Sequence, residues 1–240
     1  MKGTLDLDYA LQRQRRPDFK YRLKRRTQEV LKAIESYAPA PQRVLDLGTA
    51  EGRMLFDVQQ AYPTALYIGV EYSLNLIHYG ASRFKKINYV CSDVQSLCLK
   101  NSETFDVIIA TAVIEHLSAP LPFLETCGKL LRHNGILILT VPQRFWERTA
   151  SLVGLISGTH QSHFSSQDVL NLCKRAQLKI LENRGFMLSP VGFWGERRVE
   201  GLLSQVHLDR FLPNQLIVAT KRVVDGEIRY DGCSGKTEDR

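Results

Sequence analysis

Three carboxylates stand where apolar runs end, and each is placed to meet a ligand. Asp46 lies within Val44-Leu45-Asp46-Leu47-Gly48-Thr49-Ala50-Glu51-Gly52-Arg53. This reads as a buried strand running into a glycine-bearing turn, then a helix that begins near Gly52. In an open α/β sheet, ligands lie across the carboxyl ends of the strands where the strand order reverses. Gly48 and Gly52 would let the backbone approach such a ligand closely, with no side chain in the way. A single glycine turn could equally be a dinucleotide fingerprint. Asp46 argues otherwise, because a carboxylate ahead of the first glycine suits a cationic or amine-bearing ligand and repels a pyrophosphate. Glu71, closing Tyr67-Ile68-Gly69-Val70-Glu71, follows the turn at a distance that suits an acceptor for ribose hydroxyls. Asp93 ends Tyr89-Val90-Cys91-Ser92-Asp93-Val94 in the same manner.

These acids have to be held by strands, and the chain supplies strands in alternation with helices. Short β-branched runs occur at Arg43–Leu47, Leu66–Val70, Asn88–Cys91, Phe105–Ala110 and Gly135–Val141. Stretches of helical period separate them, which calls for a mostly parallel sheet covered on both faces. Val107-Ile108-Ile109 and Ile136-Leu137-Ile138-Leu139 are apolar at every position, as central parallel strands are. A helix is expected from Tyr9 to Tyr37, stopped by Pro39 and Pro41. Beyond Pro142 the regularity breaks at an insertion, residues 144–165. A helix over Ser166–Ala176 and strands at Lys179–Leu188 and Gln215–Thr220 complete the pattern. The expected organisation is a basic helical N-terminal extension (1–40) and one α/β domain (41–223) with a lid or insertion at about 143–165. A polar tail (224–240) is expected to be disordered. The fold class is α/β, Rossmann-like and doubly wound, with a seven-stranded sheet.

In this order the motifs resemble the class I S-adenosylmethionine-dependent methyltransferases, over roughly Arg43 to Thr220. The resemblance implies S-adenosylmethionine as cofactor. Asp46, Gly48, Ala50 and Gly52 would line its methionine end, Glu71 would hold the ribose, and Asp93 with Val94 the adenine. Ala110 would set the loop against the methionine moiety. Thr49, Tyr72, Ser73 and Thr111 complete the set by adjacency. Ala50 departs from the glycine common at that position. A narrower resemblance is to the O-methyltransferases of ubiquinone biosynthesis, carried by Ile114-Glu115-His116-Leu117 and by Gly158-Thr159-His160-Gln161-Ser162-His163-Phe164. Members of that branch can bind a divalent metal through a glutamate three residues before the Glu–His pair. Ala112 stands there, and no metal site is expected.

Methyl transfer from a sulfonium is an in-line displacement that needs an aligned acceptor and, for a phenol, a base. Histidine titrates in the right range. His160 has the better claim; His116 reads first as a packing or capping residue, with Glu115 orienting it or facing water. His163 could line the acceptor or anchor the helix that follows. Phe145 and Trp146 could stack on the acceptor or belong to a lid. As a helix, residues 144–156 would show one apolar face with arginines near its start, the pattern of a lid, of ordinary domain packing, or of a helix lying in a membrane surface.

With 240 residues and 44% hydrophobic composition the chain can bury a full core. Its five cysteines are scattered without metal-ligand spacing, so a reducing, cytoplasmic setting is expected, with at most a peripheral membrane contact. The net charge of +7 gathers between Arg13 and Arg26. That run reads as a solvated face, as a magnet for anionic lipid, or as a polyanion site through Arg22, Arg25 and Arg26. Nucleic acid ranks last, because no RNA-binding module is recognisable and aromatics in the run are limited to Phe19 and Tyr21; Ala110-Thr111-Ala112-Val113 also stands where base-amine methyltransferases use an N/D-P-P-Y-type loop. The expected acceptor is a small or lipid-like molecule, methylated at oxygen; the alternatives are an RNA or protein methyltransferase recruited by the basic N-terminal helix and, after it, a non-catalytic scaffold.

Overall fold

The computed structural model describes residues 15–97, 105–143 and 165–222. Helix α1 (Pro17–Tyr37) opens it, with proline in the first turn, where a missing N–H costs nothing. Then follow β1 (Arg43–Leu47), α2 (Arg53–Ala61), β2 (Leu66–Glu71), α3 (Leu74–Arg83), β3 (Ile87–Cys91) and β4 (Phe105–Thr111). The second half holds α4 (Pro120–Leu130), β5 (Leu131–Pro142), α5 (Ser166–Arg175), β6 (Leu178–Phe186), α6 (Glu196–Gln205) and β7 (Asn214–Lys221).

The strands form one seven-stranded sheet in the order β3-β2-β1-β4-β5-β7-β6. All neighbours are parallel except β7, which runs antiparallel to both β5 and β6. The order reverses between β1 and β4, which opens a crevice at their carboxyl ends. This is the doubly wound sheet expected from the sequence, and its central strands show why. In β4, Val107 and Ile109 join one apolar cluster with Val30 and Ile34 of α1 and Leu55 and Val58 of α2. Ile108 and Ala110 join the other, with Phe123 and Leu124 of α4 and Val169 of α5. The stretch Val107–Ala110, which feeds a core on each side, is accordingly apolar at every position.

Strand β5 and helix α6 differ from expectation, while α5 begins at Ser166 as expected; each has a local cause. Strand β5 starts four residues early: Leu131 already pairs with Phe105, and the register then shifts before Val107 meets Ile136. Helix α5 is fixed by a capping box in which Ser165 and Asp168 satisfy each other's backbone N–H. Helix α6, over a stretch with no recognisable pattern, is held by contacts to α1. Glu196 accepts a short hydrogen bond from the Tyr21 hydroxyl, and Glu200 pairs with Arg25 at 2.6 Å.

Candidate active site

Strand β1 delivers Asp46 to the carboxyl edge, one residue before the strand ends at Leu47. Register pairs Leu47 with Val70 and Glu71 with Cys91, so the tips of β1, β2 and β3 lie side by side. Asp46 and Glu71 are only 3% and 8% exposed, buried deeply enough that each needs hydrogen-bond partners. The Thr49 hydroxyl donates to Asp46 Oδ2 at 2.7 Å. The Ala50 N–H donates to Glu71 Oε2 at 3.0 Å, and the Ser73 N–H to Oε1 at 2.9 Å. Glu71 therefore ties the turn after β1 to the start of α3, where Ser73 caps the helix by accepting from the Leu76 N–H. Tyr72, between them, is half exposed. Asp93 caps a short turn over Val94–Ser96, its Oδ1 accepting from the Gln95 N–H at 2.9 Å.

The glycine turn is built differently from the sequence reading. Gly48 and Gly52 both sit at positive φ, +75° and +84°. A Cβ on Gly48 would lie 2.7 Å from a Val113 methyl, and one on Gly52 would lie 2.2 Å from the Tyr89 hydroxyl. Glycine is thus needed here for backbone sign and for protein packing, not for an open crevice at those two carbons. Ala50 takes positive φ as well, +52°, a strained value for a residue with a side chain. Its N–H on Glu71 and the Gly48 and Thr49 N–H groups, both on the Val70 carbonyl, hold the turn in place.

Tyr89 is the residue that reasoning from sequence missed. Its hydroxyl donates to the Glu51 carbonyl at 3.1 Å and packs over Gly52 and Gly80. Burial pushes its ionisation up, and the carboxylates of Glu51 and Asp46 push it further in the same direction. It stays a neutral donor bracing the turn. The available signal was position alone: an aromatic two residues before the end of the strand that carries Asp93.

On the other side of the crevice, Ala110 is fully buried at the end of β4 and the Thr111 hydroxyl reaches the Met54 sulfur at 3.8 Å. Ala112 turns at positive φ with its N–H on the Thr140 carbonyl. The short turn Ile114–His116 then places Glu115 inward, at 7% exposure, and His116 outward. Glu115 does not face water, which removes one of its two readings. Gln95 bridges back to the following segment, accepting from the Ser118 hydroxyl and the Ala119 N–H. His160, His163, Phe145 and Trp146 lie outside the described residues, as does the 144–156 segment. Among the described residues no three His, Cys, Asp or Glu side chains group closely enough to hold a metal ion.

The basic run of α1 also differs from a polyanion site. Arg25 is buried, pairing with Glu200 and, at 3.6 Å, with Glu29. Arg22 pairs with Asp18, and Arg26 reaches Asn214. Of the three arginines proposed for phosphate contact, Arg25 is thus committed to internal partners, while Arg22 and Arg26 are partly exposed.

A family described as "Methyltransferase domain" matches residues 11–183, most of the chain. The chain belongs to that family. It is an S-adenosylmethionine-dependent methyltransferase, as the motif order implied. Curated relatives include the "Ubiquinone biosynthesis O-methyltransferase" of Haemophilus ducreyi, 26% identical over 63% of this chain and 72% of that protein. The protein of the same name from Bradyrhizobium diazoefficiens is 30% identical over 62% of each. The chain thus spans less than two thirds of the second relative's length. Among solved structures, the plantazolicin methyltransferase BpumL in complex with a monoazolic desmethylPZN analog and SAH superposes with a TM-score of 0.65. It is 17% identical, over 91% of both chains. An S-adenosylmethionine-dependent methyltransferase from Clostridium acetobutylicum gives 0.62 at 11% identity, over 82% of this chain and 91% of that one. At these identities the likeness is one of fold.

Proposed function

We propose that this methyltransferase acts at an oxygen of a small, lipid-like aromatic acceptor. The observation that carries the reading is the convergence of Asp46, Glu71 and Asp93 at three adjoining strand tips, beside a loop after β4, Ala110–Val113, that lacks the Asn/Asp-Pro-Pro-Tyr pattern used for base amines. The name shared by the curated relatives supports oxygen as the acceptor atom. The internal pairing of Arg25 speaks against the runner-up, an RNA or protein methyltransferase recruited by α1.

The donor set fits the cofactor. Two buried carboxylates, Asp46 and Glu71, beside a turn whose N–H groups are already fixed, suit an amine and a pair of ribose hydroxyls more than a phosphate. Asp46, Gly48, Thr49, Ala50 and Gly52 would hold the methionine end, with Ala110 and Thr111 closing the other wall. Glu71, Tyr72 and Ser73 would hold the ribose; Asp93 and Val94 the adenine. When bound, S-adenosylmethionine supplies an activated methyl on a positively charged sulfur. The chain's part is to position, to exclude water and to take a proton. His160 is assigned as the base, with His116, on the turn after β4, as the second candidate oriented by Glu115. Phe145, Trp146 and His163 are assigned to the acceptor.

Calorimetric titration with S-adenosylhomocysteine tests the cofactor half. Asp46→Ala and Glu71→Ala should each weaken binding by about thirtyfold or more, the loss of a charge-assisted hydrogen bond of about 2–3 kcal/mol. Unchanged affinity in both would overturn the site. Turnover to S-adenosylhomocysteine with catechols carrying an isoprenoid tail, and none with tRNA or a basic peptide, tests the acceptor half. A pH–rate profile whose acidic limb disappears in His160→Ala but persists in His116→Ala would identify the base.

A further inference from the structure

Helix α6 and its flanking loops have their polarity turned outward in an unusual sense. Val199, Leu202 and Val206 recur at helical spacing and face solvent, Leu202 at 63% exposure. Just before the helix, Phe193 and Trp194 project, the tryptophan 89% exposed; just after it, Phe211 is also exposed. An apolar stripe ordinarily faces the core, and contiguous exposed patches of this kind mark interaction surfaces.

The charges of the same segment are sorted. Between Met187 and Pro213 there are three acids, and each is taken up internally. Glu196 accepts from the Tyr21 hydroxyl and from the Ser189 N–H at 2.8 Å. Glu200 pairs with Arg25 and accepts from the Leu188 N–H. Asp209 accepts from the Gly185 N–H. The cations stay outside, on the aromatics: Arg198 lies over the Trp194 ring at 5.8 Å and Arg210 over the Phe211 ring at 5.1 Å. The exposed face is therefore apolar at its centre and arginine-bearing at its margins, with its three carboxylates engaged by hydrogen bonds or an ion pair elsewhere in the fold.

Topology places this segment on the same edge of the sheet as the site, beyond β5. Phe186 pairs with Asn214 and Asn214 with Pro142, so residues 187–213 leave and re-enter the sheet at the carboxyl edge. Gln143, the residue after β5, donates from its N–H to the Pro213 carbonyl and from its side chain to the Arg210 carbonyl.

We infer that this face docks the enzyme on an anionic lipid bilayer, so that the carboxyl edge of the sheet meets the membrane from which a lipid-like acceptor is drawn. The last clause rests on the proposed acceptor; the docking itself does not. Aromatic side chains with one polar end belong at the bilayer interface, and arginines beside them meet anionic headgroups. A second copy of the chain fits poorly. A two-fold contact sets each patch against itself, which would face Arg198 and Arg210 with their own copies and no free carboxylate from the segment.

The test is co-sedimentation of the full chain with phosphatidylcholine vesicles, with and without phosphatidylglycerol. Trp146→Phe leaves Trp194 as the sole fluorescent reporter. The expected result is pelleting with the anionic vesicles and a blue shift of Trp194 emission. Arg198→Gln with Arg210→Gln should weaken partitioning about thirtyfold, on the order of fivefold per arginine. Leu202→Glu with Trp194→Ser should abolish it, and all variants should keep wild-type affinity for S-adenosylhomocysteine, which shows that they fold. Absence of both pelleting and blue shift would overturn the inference. So would a dimer by ultracentrifugation that Leu202→Glu dissolves, or retention on an acidic protein partner without vesicle binding. Docking without turnover of tailed catechols would sink the acceptor reading alone.

Discussion

Gly52 and Tyr89 share one small space, and that contact dictates what substitution there should do. Alanine at residue 52 would have to hold a φ of +84° and a Cβ 2.2 Å from the Tyr89 hydroxyl. The left-handed backbone costs about 1–2 kcal/mol and the overlap about 1–3 kcal/mol more. Gly52→Ala should lower stability by about 2–5 kcal/mol. Tyr89→Phe alone should cost about 1 kcal/mol, the hydrogen bond to the Glu51 carbonyl. The double variant should lose less than the sum, because removing the hydroxyl relieves the overlap. Urea midpoints of the four proteins measure the coupling, and strict additivity would show that the contact does not govern the turn. Asp46, Glu71 and Asp93 were legible in the sequence because each lies within two residues of a strand end, and strand ends are local. Tyr89 was not, since its partners Gly52 and Gly80 reach it only through the pairing of β3 with β2 and the seating of α3.

At the scale of elements, α1, β6 and α6 meet over buried charge. Glu29 of α1 takes Arg184 of β6 on one oxygen at 2.6 Å and Lys32 on the other at 3.2 Å, with Arg25 close by. Burial alone would raise the Glu29 carboxyl, but Arg184 and Lys32 outweigh it and hold the group below its usual range. A depressed folded value means stability that is present above the unfolded carboxylate range and is lost as pH falls through the folded value. Glu29→Gln should therefore cost about 1.5–3 kcal/mol at neutral pH, the loss of charged hydrogen bonds to Arg184 and Lys32, while Glu182 stays on Arg184 and Glu200 on Arg25. The gap from wild type should close steadily as the medium is acidified below the carboxylate range. Thermal melts of the pair across pH measure it; a gap that held constant into acid would mean that the loss is one of packing. The parallel strands were readable from their unbroken apolar runs. Helix α6 was not, because its stripe points away from the core and its anchors, Tyr21 and Arg25, lie 175 residues upstream of Glu196 and Glu200.

For the whole molecule, the sheet divides its labour about the reversal between β1 and β4. The tips of β1, β2 and β3 carry the carboxylates proposed for the cofactor, while β5, β7 and β6 carry the segment proposed for docking. One hydrogen-bonded sheet joins the halves, with a core on each face running through both. A ligand held by one half should stabilise the other as well, because neither can unfold without breaking the shared core. S-adenosylhomocysteine at about one hundred times its dissociation constant should add about 2.7 kcal/mol. At this chain length that raises the melting temperature by about 5–10 °C. Asp46→Ala, binding about thirtyfold more weakly, should lose about two thirds of the gain at the same ligand concentration. Trp194 lies on the far half, so its fluorescence and far-ultraviolet circular dichroism should report the same shifted midpoint in Trp146→Phe. If the tryptophan transition stayed in place while the circular dichroism moved, the halves would be separate cooperative units, and docking could not be expected to sense whether the cofactor is bound.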